Sequence, residues 1–181
     1  MDFRVGEKVI YPNHGIGVVE SIQSRRMEEG TITGYELRIL ANDSRVWIPQ
    51  TSTDGVGLRP VITSAAAREI LTRLGDDQVD QQANWKGRFK ENSDRMRSGS
   101  IQDVAMVLKG LSYLSQRKAL SFREKRMLDR ARFLVVSEIA EVEGVSAQSV
   151  EEQVDKALNR AFAEGAADRQ KPVGNLRPSN A

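Results

Sequence analysis

Asn84-Trp85-Lys86-Gly87-Arg88-Phe89-Lys90 places a large aromatic ring and three cations within one short stretch. Asparagine is a favoured helix N-cap, so Asn84 puts Trp85 in the first turn of a helix. The free N–H groups and dipole of a helix N-terminus favour anions, and Lys86, Arg88 and Lys90 add full charges there. That combination suits an aromatic wedge set in a phosphate-binding surface. Trp85, Phe89 and Met96 also share one helical face, so a core tryptophan ringed by solvated cations fits the same residues.

The charge around this stretch is uneven. Residues 84–132 hold thirteen Lys and Arg against five Asp and Glu, whereas residues 1–60 hold seven against eight. The net charge of the whole chain is only +2, so the basic charge is concentrated in one central block. Such a block is the footprint of a nucleic-acid surface, and a membrane surface or an acidic protein would suit it too. The chain has no cysteine and one histidine, His14, which excludes disulfides, thiolate chemistry and a multi-histidine metal site. No glycine-rich phosphate loop, metal-ligand cluster or nucleophile motif appears, so catalysis is not expected. His14-Gly15-Ile16-Gly17 lies between strands and reads as a hairpin turn. No apolar run approaches the roughly 18 residues of a membrane span, and Met1-Asp2-Phe3-Arg4 lacks the apolar core of a secretory signal.

The elements that position these residues fall into two groups. Lys8–Tyr11, Val18–Ile22, Tyr35–Leu40, Arg45–Ile48 and Gly55–Pro60 read as short strands separated by turns. Five such strands within 60 residues predict a small, strongly bent antiparallel barrel of the SH3 or Tudor kind. Within it, Trp47 stands between Val46 and Ile48. If those two face the core, Trp47 faces solvent and can anchor an interface.

Helical spacing begins at Ser64 and closes at Gly75, before the polar stretch DDQVDQQA. Beyond the Trp85 helix, Ser100 with Asp103 and Ser121 with Glu124 mark two capped helices. The first buries Ile101, Val104, Ala105, Leu108 and Leu111. The second buries Leu128, Ala131, Leu134, Val135 and Ile139, with Arg123, Lys125, Arg126, Arg130 and Arg132 around that face. A last helix spans Ala147 to Phe162. The predicted class is α+β: a β-barrel over residues 1–62, a short helix and polar linker over 63–83, an all-helical domain over 84–164 and a disordered tail over 165–181.

Phe3 to Gly15 (FRVGEKVIYPNHG), Arg45-Val46-Trp47-Ile48-Pro49, Asn84 to Phe89 (NWKGRF) and Leu120 to Arg132 (LSFREKRMLDRAR) occur in this order. Together they resemble the CarD-like (CdnL) bacterial transcription regulators. The resemblance implies a Tudor-like N-terminal domain that binds the β subunit of bacterial RNA polymerase. It also implies a helical C-terminal domain on promoter DNA at the upstream edge of the transcription bubble. There Trp85 would enter the minor groove, slow bubble collapse and stabilise the open complex.

The resemblance carries polymerase contacts onto Arg25, Trp47, Ile48 and Pro49. It carries DNA contacts onto Trp85, Lys86, Arg88, Lys90, Lys125 and Arg126. Gly87 stands where relatives often have Arg, and Trp47 where they have Arg or Met. The barrel alone also resembles the polymerase-binding module of transcription-repair coupling factors. The expected protein is a non-enzymatic, cytoplasmic monomer that reaches the nucleoid through RNA polymerase, with no cofactor, metal or membrane contact. A protein-interaction adaptor, its basic helical domain bound to an acidic protein, is the alternative from another class.

Overall fold

The computed structural model describes residues 2–28, 30–78 and 85–167, with the side chains of 85–87 and 164–167 outside that description. Five strands form one antiparallel sheet: β1 (Lys8–Tyr11), β2 (Gly15–Met27), β3 (Gly30–Ile39), β4 (Arg45–Pro49) and β5 (Arg59–Pro60). Their order is β4-β3-β2-β1-β5, and the sheet is not closed between β4 and β5. Phe3, Val9, Val19, Tyr35, Leu37, Ile48 and Leu58 fill its concave side. The Tyr35 hydroxyl is buried there, accepting from the Phe3 N–H at 3.1 Å and from Gln50 Nε2 at 3.0 Å. Paired hydrogen bonds of this kind are what make a buried phenol tolerable.

Two features of the sheet depart from the expected strands. β2 and β3 run much further than alternation predicts, pairing as far as Met27 with Gly30. Beyond Pro49, the last residue of β4, the β2–β3 hairpin is a two-stranded arm. Both faces of such an arm meet water, so no apolar alternation marks it in the sequence. Gly15 and Gly17 belong to β2 rather than to a turn. A Cβ at Gly15 would lie 3.4 Å from the Phe133 ring, and one at Gly17 would lie 3.4 Å from Ile39 Cδ1. Close approach of backbone to side chain is what these glycines permit. The turn itself is Pro12-Asn13-His14, with Asn13 at φ 62°. The predicted fifth strand begins inside a short helix, α1 (Thr53–Val56), which Gly57 closes in the left-handed region at φ 72°. Only Arg59 and Pro60 pair with β1.

The remaining helices are α2 (Ser64–Leu74), α3 (Trp85–Arg97), α4 (Ile101–Ser115), α5 (Phe122–Glu143) and α6 (Ala147–Ala167). α2, expected as part of a connector, contributes Ala67, Ile70 and Leu74 to one apolar cluster with α4, α5 and α6. Lys109, on α4, is 1% exposed. Its ammonium donates to the Arg73 carbonyl at 2.7 Å and the Asp76 carbonyl at 2.8 Å, and pairs with the Asp76 carboxylate. The lysine thus caps the C-terminus of α2, where free carbonyls and the helix dipole favour a cation. Among the described residues, α3 joins the cluster through Met96. Asn84, the expected cap of α3, and residues 168–181 of the expected tail lie outside the described residues. The backbone of 165–167 continues α6. No helix among the described residues is long and apolar enough to cross a membrane.

Candidate nucleic-acid interface

Helix α5 begins with a complete capping box. The Ser121 hydroxyl accepts the Glu124 N–H at 3.3 Å, and the Glu124 carboxylate accepts the Ser121 N–H at 2.9 Å. The other Glu124 oxygen takes Arg88 Nη2 of α3 at 3.3 Å. Burial opposes the charge on Glu124, but the Ser121 N–H, the Ser121 hydroxyl and the Arg88 guanidinium together outweigh it. They hold the carboxyl below its ordinary range. One carboxylate therefore starts α5 and fastens the first turns of α3 to it.

This arrangement changes the part expected of Arg88. Its side chain is only 17% exposed and turned onto Glu124, with Nε buried and unpartnered among the described residues. Arg88 sets the spacing of the two helices and is not displayed as a free phosphate ligand.

Between α3 and α5 opens a cleft of about 640 Å³. Its apolar floor is Phe89, Met96 and Met127, and its rim carries Arg97, Arg123, Arg126 and Arg130. Among the described residues, no carboxylate lines it. Arg97, Arg123, Arg126, Lys90 and Lys125 form no ion pair among the described residues, whereas eight other arginines do. Arg126, Lys90 and Lys125 thus keep the solvated charge expected of them. Arg130 instead donates through Nε to the Asn13 carbonyl at 2.9 Å, closing one end of the cleft with the β1–β2 turn. Four clustered guanidinium groups over apolar side chains match the phosphate-and-base chemistry of a nucleic-acid strand.

Trp85 and Lys86 stand in the first turn of α3, and their side chains lie outside the described residues. Phe122 is an aromatic that the sequence reasoning left unassigned. It is 73% exposed at the first position of α5, with the Arg126 guanidinium 5.7 Å from its ring centroid. The signal available was its i, i+4 spacing to Arg126 directly after a capping serine. Arg97, at the far end of α3, was also missed.

On the sheet, Arg25 and Trp47 meet. The Arg25 guanidinium lies 4.7 Å from the Trp47 ring centroid and 3.8 Å from the Glu36 carboxylate. Val46 and Ile48 face the core, as the alternation requires, and Trp47 lies on the opposite face with Pro49. Ile48 is 3% exposed, so of the four residues expected at the polymerase it can offer a partner only its backbone. β4 is an edge strand, and its free N–H and C=O groups are open to pairing.

Gly34 is what lets the Trp47 ring lie flat. A Cβ there would stand 2.5 Å from Trp47 Cε2 and 2.7 Å from the Ile48 carbonyl oxygen. Gly34→Ala is expected to expel the ring and to lower stability by about 1–2 kcal/mol, as overpacking does. Tryptophan emission and thermal melting check this; unchanged emission would contradict it.

No metal site emerges: among the described residues no group of three or more His, Cys, Asp or Glu is placed to hold an ion. Residues 3–62 match the family described as CarD-like/TRCF RID domain, and residues 69–155 match CarD, C-terminal domain. The chain is 30% identical over 148 residues to YdeB of Bacillus subtilis (strain 168), a protein assigned as a transcription factor. That alignment covers 82% of this chain and 97% of the Bacillus protein.

Proposed function

The chain belongs to the CarD-like family, and from that premise we propose a non-enzymatic transcription regulator that holds RNA polymerase through its sheet and promoter DNA through its helices. On this reading the Arg25–Trp47–Pro49 face and the free edge of β4 dock on the polymerase β subunit. The α3–α5 cleft takes the phosphate backbone at the upstream edge of the transcription bubble. Trp85, in the first turn of α3, enters the minor groove beside it and slows closure of the open complex. The observation that carries the reading is the cleft itself, four arginines above an apolar floor, with no carboxylate among the described residues that line it.

Phosphate contacts supply affinity and register, and a wedged aromatic needs no unique base code. Weak, sequence-tolerant DNA binding is enough when the polymerase delivers the protein, because tethering raises the effective concentration.

The test is Trp85→Ala in the full chain. We expect polymerase binding and the melting temperature to be retained, and the gain in open-complex lifetime to be lost. A lifetime gain equal to that of the unaltered chain would remove the wedge. A fall in stability of roughly 3–5 kcal/mol would instead mark Trp85 as core, as an adaptor protein would have it.

A further inference from the structure

One helical stripe of α5 serves two surfaces. Arg123, Arg126 and Arg130 recur at spacings of three and four and line the cleft. The same stripe continues through Leu134 to Glu138 and Glu141, where it meets the sheet. Glu138 is 2% exposed and receives Arg59 of β5 in a bidentate pair, at 2.6 and 2.9 Å. The Ile62 N–H adds a third bond to the same carboxylate at 3.0 Å. Arg59 Nε donates at 2.6 Å to the carbonyl of Gly99, in the turn between α3 and α4. A single guanidinium therefore ties the sheet to α5 and to the end of α3, which are the two walls of the cleft.

The surroundings of this joint are as specific as the pair. Pro12 sits between Gly57 and Gly99, both in the left-handed region. A Cβ on either glycine would lie 3.1–3.2 Å from the proline ring. Apolar surfaces tolerate sliding, whereas a planar fork pairing with a carboxylate and a carbonyl accepts one orientation.

We infer that Arg59 and Glu138 are positioning residues: they lock the sheet to the helical unit so that the α3–α5 cleft is held at one fixed angle to the polymerase-facing edge. The inference rests on the function proposed above for its consequence, and on the joint alone for its geometry. A flexible tether would supply local concentration without orientation. A wedge at a strand junction needs both, because small misplacements of a reacting or inserting group cost large factors. Neither residue touches DNA or polymerase in this scheme.

Arg59→Lys and Glu138→Gln test the lock in the full chain, each keeping size and some hydrogen bonding. The absence of cysteine allows spin labels at Thr31→Cys on the β2–β3 arm and Glu152→Cys on α6, both exposed positions. Double electron–electron resonance then reads the separation of the two units. The expected result is a narrow distance distribution in the parent and a broad one in both variants. Polymerase binding and free-duplex affinity are expected to stay within about twofold, while the open-complex lifetime gain falls by roughly tenfold.

Distributions that stay narrow in both variants would overturn the lock. Broad distributions with an undiminished lifetime gain would overturn its role. A parent chain that gives no lifetime gain would sink the proposed function, and the distance measurement would still decide the joint.

Discussion

Arg123→Ala/Arg126→Ala is expected to bind duplex DNA roughly 50-fold more weakly near 0.1 M salt, with the fold intact. Each phosphate contact releases condensed counterions, contributing a slope of about 0.9 to log K against log salt. Losing two contacts lowers that slope by about 1.8, which corresponds to the stated factor near 0.1 M. Both arginines line the cleft, and neither forms an ion pair among the described residues. Their removal leaves no buried partner unsatisfied, and a surface substitution of this kind changes stability by about 0.5 kcal/mol or less. Binding titrations at several salt concentrations read the effect. An unchanged slope would show that these arginines do not meet phosphate. Arg132→Ala is the control, since Arg132 pairs with Asp155 at 2.8 Å and does not line the cleft.

Glu124→Ala is expected to destabilise the helical end of the molecule by about 2–4 kcal/mol. Loss of a capping interaction accounts for about 1 kcal/mol. The remainder comes from Arg88, mostly buried and left without its carboxylate. Because Arg88 holds α3 against α5, DNA affinity is expected to fall as well, although Glu124 itself carries the wrong charge to bind DNA. A melt within about 0.5 kcal/mol of the parent would refute this account of the joint between the two helices.

The acid limb of stability follows from the same group. The folded-state pKa of Glu124 is lowered, so its ionised form is favoured in the folded chain. The stabilisation is present above the unfolded pKa, about 4.3, and is lost as pH falls through the lower folded value. Glu124→Gln is therefore expected to be less stable than the parent at neutral pH and to converge with it as pH falls through that lowered value. Denaturant titrations at several pH values check the convergence. A constant difference across that range would contradict it.

Local and periodic features were legible in the sequence. Ser100 and Ser121 announce their helices because a hydroxyl three residues before an acid satisfies free N–H groups wherever it stands. Gly144 ends α5 for a similarly local reason, its left-handed φ of 64°, and the apolar faces of α4, α5 and α6 follow from the 3.6-residue period. The alternation of Val46, Trp47 and Ile48 set Trp47 opposite its two neighbours, and the packing of those neighbours against the sheet core fixed which face that is. The concentration of basic charge pointed to the helical unit before any coordinate did.

Only the tertiary structure decided what each charge meets. Nothing in the spacing of their helices marks Lys109 or Glu138, and both are buried against partners 33 or more residues away. Arg88 reads as one more phosphate ligand beside Trp85, and its proximity to Glu124 of another helix turns it inward. Arg97 and Arg130 enter the cleft because α3 and α5 lie side by side, a relation that no spacing within either helix contains. The reason is physical. Caps and periodicity arise from interactions a few residues apart, whereas the pairing of a charge depends on which element packs across from it, and that is settled only when the core forms.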